Sequence, residues 1–307
     1  MSPKIIPYEI AEKLDWPGAI AALRAGHTRP KAELGDTFLG PSDAVLLSRA
    51  AYIPGLGYGV KSFTVCDGNA QVGLPTVQGA MVVFEPEHGQ PIAIVDCPLV
   101  TEFKTAADSV LGAQLLARPD SHRLLIVGGG RVARSLIAAY AAGFPGLTEI
   151  TLWTRRPEQA QELAEGPAPE GISLRAVTEL AEAVAEADIV SSATMARAPV
   201  LQGAWVKPGT HVDLIGAYKA DMREADDALI STASLFVDSR DTTLGHIGEL
   251  LIPIREGVIT PEAVKADLYD LIGGARGRES AEEITLYKNG GGAHLDLMIA
   301  DWISRAG

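Results

Sequence analysis

The sequence predicts an α/β protein in two parts, a doubly wound parallel sheet and a smaller α+β domain. Three observations predict it. In LLIVGGGRVA (124–133), an apolar run enters a glycine turn, and Ala-rich helical sequence follows. Beyond the break Arg118-Pro119-Asp120-Ser121, strand-like and helix-like segments alternate, the pattern of a parallel sheet. Residues 45–100 instead carry β-rich pieces separated by glycine and proline, the spacing of an antiparallel or mixed sheet.

Taken in order, Ile10, Leu14, Ile20 and Leu23 recur at near-helical spacing and predict a helix over 8–26. Strands follow at 59–65, 80–84 and 91–95, punctuated by Pro54-Gly55-Leu56-Gly57, Gly73-Leu74-Pro75 and His88-Gly89. A helix is predicted over 101–117. The strands of the second part are predicted at 124–127, 149–153, 174–177, 189–191, 210–215 and 234–238, with helices at 157–165 and 179–186 among the connections. From about Gly290 a short helix (294–303) is expected to return to the first domain. The domains are therefore residues 1–118 with 291–307, and residues 119–290.

The chain has 307 residues and a net charge of −13, which excludes a general nucleic-acid or anionic-membrane surface. Its 47% hydrophobic and 21% charged content is that of a soluble globular protein. The start, MSPKIIPYEI, shows no apolar signal core, and no stretch reaches the ~18 apolar residues of a membrane span, so a cytoplasmic location is expected. Cys66 and Cys97 form no CxxC, and the six histidines show no ligand spacing, so no metal is expected. The acid-rich pieces 179–188 and 221–227 read as solvated helix faces.

Gly128, Gly130 and Ala133 fit G-x-G-x-x-(G/A) between a strand and a helix. The first glycine permits a tight turn, and the second lets backbone approach a pyrophosphate. The small third residue lets helix and strand pack, and the helix N-terminus favours the phosphate charge. In this context the motif predicts a Rossmann-type dinucleotide site that includes Arg131 and Val132. The next strand ends in Thr154-Arg155-Arg156, where an NAD site usually carries a carboxylate. Two guanidinium groups suit a 2′-phosphate, so NADP(H) is preferred, with NAD(H) the second choice. Ser192-Ala193-Thr194 and Gly216-Ala217 follow later strands, where ligands bind in such sheets, and are candidate ribose and nicotinamide contacts.

Several blocks resemble the ornithine cyclodeaminase/μ-crystallin family. They are Tyr52-Ile53-Pro54-Gly55-Leu56-Gly57-Tyr58-Gly59-Val60-Lys61, Gly73-Leu74-Pro75-Thr76-Val77-Gln78-Gly79, Lys104-Thr105-Ala106-Ala107-Asp108-Ser109, Val127-Gly128-Gly129-Gly130 and Glu283-Ile284-Thr285-Leu286-Tyr287-Lys288. The resemblance implies a discontinuous substrate and dimerisation domain, a Rossmann domain, and a homodimer. It implies that Lys61 and Lys104 contact substrate, with Lys31 helping to hold its carboxylate, and that Thr105 contacts cofactor phosphate. Lys104 and Lys31 stand where the family has arginines, so the anion grip differs in geometry. Tyr218 stands where cyclodeaminases carry an aspartate for the substrate's amino groups; the resemblance implies that the reductase branch lacks that aspartate too.

The function expected is therefore reduction of the C=N bond of a small anionic imino acid by NAD(P)H, with Δ1-pyrroline-2-carboxylate giving L-proline as the first choice. Lys61 is also the candidate proton donor. The alternatives are reduction of an open-chain imino acid such as iminosuccinate, ornithine cyclodeamination with NAD, and non-enzymatic binding of NADPH and a ligand. His246 and His294 are further candidates to line the site.

Overall fold

The structure is a computed structural model and describes residues 2–41 and 43–306. It divides into two compact units: residues up to Lys104 with those from Gly292 onward, and Thr105–Gly291.

The first unit begins with β1 (Lys4–Ile6) and a 3-10 turn at Tyr8–Lys13, followed by α1 (Trp16–His27). The single helix expected over 8–26 is thus split. Asp15 starts α1 afresh, its carboxylate accepting from the Gly18 N–H at 2.6 Å, and Pro17 sits in the first turn, where its missing N–H costs nothing. Then come β2 (Glu33–Leu39), β3 (Ala44–Ile53), β4 (Gly57–Cys66), β5 (Val77–Phe84), β6 (Pro91–Asp96) and α2 (Cys97–Leu116). The strands form one sheet ordered β1-β6-β5-β4-β3-β2, antiparallel except for the β1–β6 pair. β1, β2 and β3 are additions to the three strands read from the sequence. The β3–β4 turn needs glycine at Gly57, where φ is +119° and a Cβ would come within 2.3 Å of the Phe84 carbonyl.

The second unit runs β7 (Arg123–Val127), α3 (Arg131–Gly143), β8 (Glu149–Trp153), α4 (Pro157–Ala164), β9 (Ser173–Ala176), α5 (Leu180–Glu186), β10 (Ile189–Ser192), β11 (His211–Leu214), α6 (Asp227–Thr232), β12 (Ser234–Val237), α7 (Arg240–Thr243), α8 (Gly248–Arg255), β13 (Val264–Ala266), α9 (Leu268–Ile272) and β14 (Thr285–Lys288). Its sheet is ordered β13-β12-β14-β11-β10-β7-β8-β9, and every described pairing is parallel. The order reverses between β7 and β10, which is where open α/β sheets bind ligands. β13 and β14 were not anticipated. β14 lies between β11 and β12, and all four of its residues are buried.

The boundary expected near Arg118 lies at Lys104, inside α2. The later turns of α2 are tied to β14 and the residue after it. Asn289 donates to the Thr105 carbonyl and to Ser109 Oγ, both at 3.0 Å, and the Tyr287 hydroxyl donates to Asp108 at 2.7 Å. The Tyr287 ring fills the space beside Gly112.

The chain ends with α10 (Ala293–Ala306), which lies against α1 and the first sheet in the first unit. Gly59 of β4 makes room for it: a Cβ there would meet Met81 and Leu297 at 2.6 and 2.9 Å. On the opposite sheet face, Ile5, Ile94, Val82, Val60 and Ala50 stand in register across five strands. Ile5 is exposed and the other four are partly exposed. No helix among the described residues is long and apolar enough to cross a membrane.

Candidate active site

Three short segments after strands build the nucleotide side, all within the second unit. β7 is buried from Leu124 to Val127 and delivers the chain into Gly128, whose φ of +136° suits glycine. A Cβ on Gly128 would lie 2.7 Å from the Ala193 carbonyl, and one on Gly129 would lie 2.8 Å from Thr154. Gly130 begins α3, and a Cβ there would point into open space. The backbone is therefore packed at the first two glycines and open at the third, as a phosphate cradle at a helix N-terminus requires. A cavity of about 390 Å³ opens at this point. It gathers Gly128, Gly130, Thr154, Arg155, Arg156, Ala193 and Thr194 from the sequence-derived candidates, and adds Gln159 and Met195. Thr105, Arg131, Val132, Ala133, Ser192, Gly216 and Ala217 are not among its lining residues.

The end of β8 carries no carboxylate. Thr154 is buried and its hydroxyl donates to the Arg156 carbonyl at 2.5 Å, which shapes the turn. Arg156 leans on Gln159 at 3.2 Å, and Arg155 is exposed with no ion-pair partner among the described residues. The cavity and the open glycine fit a dinucleotide, and these guanidinium groups stand on the cavity wall.

The segments Ser192-Ala193-Thr194 and Gly216-Ala217 are pinned from beneath by Glu224, a residue the sequence reading missed. The acid-rich piece 221–227 was expected on a solvated helix face, but Glu224 is fully buried and not helical. Its Oε1 accepts from Ser192 Oγ at 2.6 Å, and from the Thr194 N–H and Oγ1, each at 2.7 Å. Its Oε2 accepts from the Gly216 N–H at 2.6 Å. Glu249, also buried, accepts from the Glu224 and Ala225 N–H groups at 2.8 and 3.0 Å. Burial pushes both carboxyls above the usual range, Glu249 to about 7, while Lys288 pulls them back. Lys288 is buried too, donating to the Leu214 and Asn289 carbonyls at 2.9 and 2.6 Å. The other acid-rich piece departs in the same way at Asp188, which is 3% exposed and held by Arg118 and Lys207 at 3.3 and 3.2 Å.

A second cluster forms within the first unit. Gly57, Gly59 and Lys61 alternate on the buried face of β4, and Lys61 is only 6% exposed. Its Nζ reaches Asp296 Oδ1 of α10 at 2.8 Å and Thr101 Oγ1 at 3.5 Å, and lies 5.4 Å from the centre of the Phe63 ring. Burial alone would raise the Asp296 carboxyl, but Lys61, Lys104 and Arg49 hold it below the usual range. Arg49 pairs with Lys61 in the β3–β4 register, so both side chains share one face, and it also meets Asp36 at 3.0 Å. Neither Asp296 nor Arg49 was read from the sequence. A lone charge in the apolar run of β3 was the available signal for Arg49; Asp296 sits in an ordinary amphipathic helix and gave none.

Lys104 is partly buried on α2, near enough to act on both Asp296 and His294. Lys31 is exposed ahead of β2. His294 is buried, with its ring 5.8 Å from that of His27, and burial lowers it to about 3. His246 and Tyr218 are exposed. Among the described residues no His/Cys/Asp/Glu group is placed to hold a metal ion.

A family model for the ornithine cyclodeaminase/mu-crystallin family matches residues 48–305. The chain belongs to that family. It is 63% identical, over 99% of its length and 97% of the relative's, to the Δ1-pyrroline-2-carboxylate reductase of Paracoccus denitrificans. Among solved structures it resembles the Δ1-pyrroline-2-carboxylate reductase of Thermococcus litoralis in complex with NADH and L-proline, at a TM-score of 0.90 and 28% identity. That likeness covers 99% of this chain and 97% of the other. An archaeal alanine dehydrogenase dimer with bound NAD matches at a TM-score of 0.90 and 29% identity, covering 100% and 96% of the two chains.

Proposed function

We propose that this chain is an NAD(P)H-dependent imine reductase that converts Δ1-pyrroline-2-carboxylate to L-proline. The likeness to the Paracoccus reductase over 99% of the chain carries the reading. Tyr218, standing where a diamine substrate would need a carboxylate, supports it over cyclodeamination.

The dinucleotide, when bound, supplies the hydride that the imine carbon accepts. The chain's own residues do the rest. Gly128 and Gly130 at the start of α3 receive the pyrophosphate. Arg155 and Arg156, at a strand end without a carboxylate, support NADPH over NADH. Ser192, Ala193, Thr194 and Gly216 present the nicotinamide half. Lys61 and Lys104 hold the substrate carboxylate. Arg49 takes the third position, which the sequence reading gave to Lys31, because it shares the face of Lys61. Lys61, its ammonium oriented by Asp296, is the proton donor to the imine nitrogen. The apolar row from Ile5 to Ala50 supports a homodimer through that sheet face, which sedimentation of the full chain checks.

The test is oxidation of NADPH, against NADH, by the purified chain with Δ1-pyrroline-2-carboxylate, Δ1-piperideine-2-carboxylate, iminosuccinate, and pyruvate with ammonia. Turnover fastest with the five-membered cyclic imine and NADPH is expected. Turnover confined to iminosuccinate, or ammonia release from L-ornithine with NAD+, would overturn the reading.

A further inference from the structure

We infer that Glu224 is a positioning residue for the nicotinamide half of the cofactor, one that leaves the adenosine half to other parts of the site. The inference rests on the dinucleotide reading above. Its basis is the four bonds that Glu224 accepts, at 2.6–2.7 Å, from two separate segments, one at the end of β10 and one after β11. These bonds take up the Thr194 and Gly216 N–H groups and the Ser192 and Thr194 hydroxyls. What remains for a ligand is the outward side of the same segments, with Ala193 and Thr194 on the cavity wall.

The two segments also touch each other. A Cβ on Gly216 would fall 1.7 Å from the Thr194 carbonyl, so neither can shift without the other. Glu224 is itself anchored. Its N–H is held by Glu249, and its carbonyl accepts from the Val200 and Leu201 N–H groups at 2.8 and 2.9 Å. An anchored acceptor beneath two interlocked segments fixes their height above the sheet. The glycine turn and Arg155–Arg156 make no described bond to Glu224. The turn packs against Ala193 at Gly128, but the Gly128 N–H is held by the Trp153 carbonyl at 2.9 Å, so the phosphate and adenosine half takes its main support from the ends of β7 and β8.

Glu224→Gln keeps the volume but places an amide NH2 against donors, and so breaks part of the set. Binding is read by nucleotide fluorescence for NADPH and NADH, and by calorimetry for ADP, which carries the pyrophosphate and adenosine without nicotinamide. Expected for Glu224→Gln is a Kd for the reduced dinucleotides raised about 10-fold or more, with the Kd for ADP unchanged within about 2-fold. Gly216→Ala, which forces the same two segments apart and moves the Gly216 N–H from Glu224 while leaving the carboxylate itself in place, should give the same selective loss and covers the case in which Glu224→Gln does not fold. Equal weakening of ADP and dinucleotide binding, or no weakening of either, would overturn this inference alone. A wild-type chain that binds neither ligand would overturn the dinucleotide reading and this inference with it.

Discussion

Lys61 and Asp296 form a salt bridge at 2.8 Å with 7% and 2% of their side chains exposed, so each charge depends on the other for solvation. Removing one partner of such a pair leaves a buried charge without compensation and typically costs ~3–5 kcal/mol, whereas replacing both with apolar groups is often close to neutral. Lys61→Met and Asp296→Asn should therefore each destabilise by ~3–5 kcal/mol. Lys61→Met/Asp296→Leu should fall well short of the sum, with a coupling of ~2 kcal/mol or more. At a few degrees per kcal/mol, each single variant should lower Tm by ~10 °C. Urea unfolding followed by circular dichroism closes the cycle. Single variants within about 1 kcal/mol of wild type, or a double variant as unstable as the summed singles, would refute the coupling. Kinetics add a second reading: Lys61→Met should lower kcat as well as raise KM for the imine, and an unchanged kcat would remove the proton-donor role.

Arg155→Ala should lower kcat/KM for NADPH about 10-fold and leave NADH unchanged, since only a 2′-phosphate engages that guanidinium; equal loss with both coenzymes would remove the preference argument. Asp213 is fully buried, and burial raises its carboxyl to about 7, against the pull of Ser191 and Ser109. Between the ordinary carboxyl range and pH 7 the folded chain therefore holds a proton that the unfolded chain has lost. Its contribution to stability is complete at low pH and falls by up to ~4 kcal/mol as pH rises to 7. Asp213→Asn should flatten that part of a urea stability profile, and an unchanged slope would show that Asp213 is ionised throughout. Burial lowers His211 and His294 to about 3, which acts in the opposite sense and removes stability as pH falls below 6.5.

Local sequence revealed the elements that carry their own punctuation. β7 was readable because four apolar residues run directly into glycines, and α4 because Pro157 opens it. β14 was not. Thr285–Lys288 is short, and its polar residues are buried only because β11 and β12 flank it and because carbonyls at the end of β11 and just after β14 accept from Lys288. The same reason hid much of the site. The phosphate turn and the arginines of β8 lie within one stretch of chain and carry a recognisable spacing. Glu224 looks like any acid in a charged segment, since its four donors lie 8 to 32 residues away. Lys61 was singled out by resemblance, but its partner Asp296 lies 235 residues further along. Spacing in sequence carries no trace of a contact that only the folded chain creates.

The placement of α10 affects the order in which the protein can become itself. A ribosome adds ~5–20 residues per second, so Asp296 follows Lys61 by roughly ten seconds to a minute. Through that interval the β4 segment carries a lysine without its counterion, and Gly59 lacks the helix it makes room for. β14, which closes the middle of the second sheet, is made only shortly before. The first unit cannot be finished until the whole of the second has been synthesised, and loss of the last 15 residues would damage the part of the protein that was made first.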